Sequence, residues 1–130
     1  MNTARKILEI KCLSQTLCQS GNTENTNNEI KVLYFIDEYK SATPQLLISK
    51  LGIVKSNLAL LTKGLLKEGL IISDKSLADK RAIVYSITPK GKQVLDEHLS
   101  TISRFIRSDE QTPELLSALD AVLSYFNKKV

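Results

Sequence analysis

Six cations and two small polar side chains between Lys55 and Arg81 hold the recognisable chemistry of this 130-residue chain. Ser56 and Asn57 are adjacent, with Lys55 before them and Lys63 and Lys67 after. An asparagine amide can pair bidentately with adenine, and a serine hydroxyl can bond a base edge or a phosphate. Lysines meet phosphate as point charges. Arg81 closes the charged run "DKSLADKR". A guanidinium carried there can enter a narrow, electronegative minor groove. Asp79 is placed to pair with Arg81 and set its direction, while Lys75 and Lys80 would flank it as phosphate contacts. Each residue also has a plain use: Ser56 suits a helix cap, and any single lysine suits a solvated surface.

Catalytic chemistry has no comparable set. His98 is the one histidine and is expected at the surface. There is no Gly-rich phosphate loop and no metal-spaced cluster of Cys, His and acids, so neither enzyme, metal nor cofactor is expected. Cys12 and Cys18 stand six residues apart, which is not the offset that shares a helical face, so reduced thiols are expected. Cys12 admits a redox-sensing role; the alternative is an inert, partly buried thiol. No apolar run approaches the ~20 residues that span a bilayer. The charged N-terminus "MNTARKILEIKCLSQ" is no signal peptide, and a cytoplasmic location follows by default.

Charge placement supports the first set. From Lys40 to Leu95 ten Lys/Arg face three acids, a net +7. The whole chain carries +4, so the two flanks together hold −3. A basic middle between acidic ends suits a centre turned to phosphate.

The elements that must position these residues are mainly helical. Apolar Ile7, Ile10, Leu13 and Leu17 predict a first helix over residues 4–18. "QSGNTENTNNE" is a loop ending on Asn28 as N-cap, and residues 29–39 form a helix with broad apolar burial. Thr43-Pro44 starts a short helix that stops at Gly52. The next helix opens at 54–56 and ends before Gly69, turning Leu58, Leu61 and Leu65 to the core. Branched residues in "LIISD" and "RAIVYSI" pair as a hairpin, with Ile83, Tyr85 and Ile87 on one face. Thr88-Pro89 and Thr112-Pro113 repeat the start signal for two further helices. Helix, turn, helix and charged hairpin together make a winged helix-turn-helix, mainly α with a small β-hairpin wing. The expected unit is residues 1–130, with a DNA-binding core at 29–91 and dimerisation helices at 1–20 and 92–130.

In this order of elements the chain resembles the MarR family, the multiple-antibiotic-resistance-type repressors. The likeness is sharpest over "LLISKLGIVKSNLALLTKGLLKEGLI" and "DKSLADKRAIVYSITPKG". Such families carry an acid just ahead of an arginine in the wing, then a strand ending in Leu-Thr-x-x-Gly. Asp79, Arg81, Ile87, Thr88 and Gly91 hold those places here. Leu60 and Gly64 depart from the pattern, standing where polar or basic residues are common. The resemblance implies a homodimer clasped by its terminal helices, reading an inverted-repeat operator in double-stranded DNA as a transcriptional repressor. Relatives often bind small aromatic acids between winged core and dimer helices, which by position points to Tyr34, Phe35 and Tyr39. Some sense oxidants through a first-helix cysteine, here Cys12. The competing reading is a winged-helix module that docks a protein through Leu60 and Leu66 without binding DNA.

Overall fold

The computed structural model describes residues 2–19, 27–75, 82–104, 106 and 111–129. They form six helices and two strands in the order α1 (Asn2–Gln19), α2 (Asn27–Glu38), α3 (Pro44–Leu51), α4 (Lys55–Lys67), β1 (Ile71–Lys75), β2 (Ile83–Ile87), α5 (Pro89–Arg104) and α6 (Pro113–Lys129). The architecture is the expected one, a mainly helical winged helix with a two-stranded antiparallel hairpin.

Threonine followed by proline begins a helix at all three places. The hydroxyl oxygens of Thr43 and Thr112 accept from the amides of Leu46 and Leu115, each at 3.2 Å. Thr88 accepts from the Gly91 amide at 3.1 Å. Each bond satisfies an amide that the helix itself leaves unpaired, and proline loses nothing at the first position. Gly52 ends α3 in the left-handed region at φ 64, donating its amide to the Ile48 carbonyl at 2.9 Å. The start of α2 differs from expectation. Asn28 lies inside the helix, which already begins at Asn27.

α2 runs through the middle of the core, as its apolar breadth predicts. Val32, Leu33 and Ile36 are wholly buried against Leu47 of α3, Leu58 and Leu65 of α4, and Leu95 of α5. Leu61 is half-buried beside them. Removing such leucines from water stabilises the fold by about 1.5–3 kcal/mol each.

The hairpin is pinned to this core on one side. Ile71 pairs with Ile87 and Lys75 with Ile83, so Lys75 lies at the end of the hairpin that leads into the wing loop. Of the face that Ile83, Tyr85 and Ile87 share, Tyr85 is buried and Ile87 half-buried, but Ile83 is exposed. Ile83 lies nearer the tip, beyond the reach of the helices beneath. A connection not foreseen from the sequence joins the wing to the helix-turn-helix. Ala42, just ahead of α3, exchanges two backbone bonds with Tyr85, at 3.0 and 2.8 Å. This isolated bridge ties the wing's base to the entry of α3.

Candidate nucleic-acid interface

α4 is amphipathic around its own axis. Leu58, Thr62 and Leu65 are buried, and Thr62 returns its hydroxyl to the Leu58 carbonyl at 3.0 Å. Burial of Thr62 carried no sequence signal, because a threonine that bonds its own helix can sit in the core. On the opposite side Ser56, Leu60, Lys63 and Lys67 follow at helical spacing, and all four are exposed. Lys55 and Ala59 border that stripe on one flank and are exposed too.

Asn57 is exposed on the other flank. It lines a shallow recess of about 300 Å³ with Asn28, Ile53, Leu60 and Leu61. Its amide is therefore directed beside the start of α2 rather than along the centre of the outward stripe. Ser56 makes no cap: α4 opens at Val54, which offers no side-chain hydrogen bond. That leaves the Ser56 hydroxyl to the outer face. Gly64 lies on the Asn57 side, where an added β-carbon would stand 4.0 Å from Glu29 Oε2.

From the wing, Lys75 ends β1 exposed, its amide donating to Asp74 Oδ1 at 2.7 Å. Asp79, Lys80 and Arg81 lie outside the described residues. Three other cations of the basic middle, Lys50, Lys90 and Lys92, are engaged within the chain. Lys92 Nζ meets Asp37 at 2.8 Å and Asp96 at 3.5 Å. The hydrogen bond to Asp37 raises the Lys92 pKa above its ordinary value. Lys90 donates to the Glu68 carbonyl at 3.0 Å, closing the C-terminus of α4. Lys50 reaches Asn127 of α6 at 3.2 Å and lies over the Tyr39 ring. Lys55, Lys63, Lys67 and Lys75 extend into solvent, so the charge aimed outward lies on α4 and at the loop end of β1.

Between α2 and α5 a groove of about 370 Å³ is walled by Ile30, Phe35, Leu95, Leu99 and Ile102, with Lys31 and Tyr34 also lining it. His98 also lines it, and here the structure corrects the sequence. Expected at the surface, His98 is 4% exposed, and its Nδ1 has no hydrogen-bond partner among the described residues. A lone histidine among charged neighbours reads as surface; the α5 register, which buries Leu95 one turn earlier, places it inside. Tyr34 is partly exposed, and burial of its ring followed by the Glu38 charge raises its hydroxyl pKa. Tyr39 stacks on Phe35 at 6.5 Å and does not line this groove.

α1 and α6 lie side by side, with Ile7 and Ile10 across a cleft from Val122 and Phe126. All described side chains of the two helices, these included, are exposed apart from half-buried Val122. Cys12, weighed as partly buried, is exposed on α1, while the Cys18 side chain lies outside the described residues. Among the described residues no helix is long and apolar enough to cross a membrane, and no three His, Cys, Asp or Glu gather as a metal site.

Residues 29–106, more than half of the chain, match the family described as winged helix DNA-binding domain. No curated protein matches the chain. Its fold is similar to that of apo MarR from E. coli, at 18% identity, 95% coverage of both chains and a TM-score of 0.76. It is also similar to the transcriptional regulator BldR from Sulfolobus solfataricus, at 25% identity over 96% of this chain and 92% of that one, TM-score 0.66. A mutant E. coli MarR in complex with operator DNA is similar at 17% identity, over 93% of this chain and 95% of that one, TM-score 0.63. With the sequence match, the pinned hairpin and the two-sided α4 in agreement, the chain belongs to the winged helix DNA-binding domain family.

Proposed function

We propose that this chain is a homodimeric, sequence-specific transcriptional repressor that lays α4 in the major groove of an inverted-repeat operator. The observation that carries the reading is the outward stripe of α4. Ser56, Lys63 and Lys67 are exposed on a helix whose other side is locked into the core. A similar fold is found in a MarR solved with operator DNA. Lys55, Lys63, Lys67 and Lys75 contact phosphate, Ser56 reaches base edges from the first turn while Asn57 meets DNA from the flank of the stripe, and Arg81 of the wing enters the minor groove, steered by Asp79 with Lys80 beside it.

The partner in the dimer covers α1 and α6, whose apolar side chains are otherwise left in water. The α2–α5 groove, apolar with a buried imidazole nitrogen unpartnered among the described residues, suits a small aromatic acid that would bias the dimer's hold on DNA. Selection of bound duplexes from a random pool tests the reading. A palindrome with half-sites about 34–36 Å apart is the expected product. No binding to any duplex at low salt would leave the fold as a protein-docking module.

A second reading, a thiol-based sensor, is favoured by the exposure of Cys12 on α1. Mild peroxide should then release DNA from the wild type and not from Cys12→Ser. An equal response of the two proteins rejects it.

A further inference from the structure

Leu60 is 71% exposed, the most exposed of the large apolar residues on α4. It sits in the middle of the outward stripe, one turn after Ser56 and one turn before Lys63. No folding reason accounts for it, since α4 packs through Leu58, Thr62 and Leu65 on the far side. Ala59 is exposed next to it, so the centre of the helix face is hydrocarbon and its ends are polar or cationic.

A side chain made only of carbon can neither donate nor accept a hydrogen bond. At a base edge in the major groove, the one apolar feature it can recognise is the C5 methyl of thymine. Set over a G·C pair instead, it would strip water from the O6 and N7 acceptors and the N4 donor and return nothing. Accepting the DNA-binding reading above, on which this rests, we propose that Leu60 is a specificity-determining residue that reads a thymine methyl at the centre of each half-site. Ala59 extends the apolar strip toward the neighbouring base. Ser56 and Lys63 bracket this contact and fix the register of the helix along the groove.

The test uses the full chain and a duplex selected from a random pool. Each half-site thymine is replaced in turn by deoxyuridine, which removes the methyl group alone. At the position facing Leu60 the wild type should lose about fourfold in affinity, the effect of one buried carbon. Leu60→Ala should bind the parent duplex more weakly and be indifferent to that replacement. Lys63→Gln should keep the sensitivity to deoxyuridine while its salt dependence flattens. Steeply salt-dependent binding that ignores every deoxyuridine, or a sensitivity that survives Leu60→Ala, overturns the methyl contact and leaves DNA binding intact. Duplex binding unchanged by Leu60→Ala assigns the residue to a protein-docking face and also overturns it. Failure of every duplex to bind at low salt removes both readings together.

Discussion

The carbonyl of Leu70 occupies the space into which a β-carbon on Gly91 would project. The first turn of α5 therefore rests directly on the backbone that leads from α4 into the wing. Around this contact the Thr88 hydroxyl donates to the Gly69 carbonyl at 2.7 Å, and the Thr88 amide to the Leu70 carbonyl at 3.0 Å. The end of α4, the base of the wing and the start of α5 are thus one hydrogen-bonded junction.

Gly91→Ala forces that junction apart. Backbone, unlike a flexible side chain, cannot rotate away, so the cost should reach or exceed the ~1–3 kcal/mol usual for overpacking. Urea denaturation should show the midpoint falling by a corresponding amount. Gly64→Ala, with only ordinary contact to Glu29 ahead of it, should leave stability level or raise it by up to ~1 kcal/mol through helix propensity.

Salt dependence separates the outward cations from those already engaged. Lys63→Gln and Lys67→Gln should each lower the slope of log affinity against log salt by about 0.9 per subunit, or about 1.8 for the dimer. Lys90→Gln should leave the slope unchanged, because Lys90 Nζ is held on the Glu68 carbonyl. Equal slopes across the three variants would place the phosphate contacts elsewhere.

Much of this was legible in the sequence because the chain marks its helix boundaries chemically. Thr43-Pro44, Thr88-Pro89 and Thr112-Pro113 each combine a capping hydroxyl with a residue that tolerates only the first turn, and each starts a helix. Gly52, in the left-handed region, stops one. Long-range placement was less visible. The pairing of Ala42 with Tyr85 involves backbone alone and leaves no side-chain pattern to read. Burial of His98 follows from which side of α5 meets α2, a fact of packing rather than of residue type. Asn57 and Ser56 are neighbours in sequence, yet one turns to the flank and the other outward, a distinction that depends on the angle at which α4 docks.

Alkaline pH should weaken the fold through two groups. Tyr34 holds its proton above the ordinary tyrosine pKa, so the unfolded chain ionises first. Its contribution is complete below about pH 10 and is lost as pH rises through the folded value. Lys92, raised by its bond to Asp37, acts in the same direction: the ion pair persists until the folded pKa is passed and then fails. Denaturation midpoints measured from about pH 9 to pH 11 should fall. Tyr34→Phe should flatten the decline, and an identical profile would show that the ring's environment does not matter.

α6 offers the most direct test of assembly. Leu116, Leu119, Leu123 and Phe126 alternate at three and four residues, the spacing of a seam between helices, and are 55%, 50%, 59% and 38% exposed. α1 covers only the side of this seam near Phe126 and adds its own exposed Ile10 and Leu13. A two-fold contact would bury each residue twice, once per copy. Leu119→Ser then removes about 1.5–3 kcal/mol on each side, a weakening of the dimer by roughly two to four decades. Sedimentation should find the wild type dimeric at micromolar concentration and the variant monomeric. Its circular dichroism should be little changed, because Leu119 is not part of the core that α2 organises. DNA affinity should fall with the dimer, since one half-site contact cannot replace two. A monomeric wild type that binds palindromic DNA tightly would refute the two-fold arrangement and leave the apolar seam of α6 to some other partner.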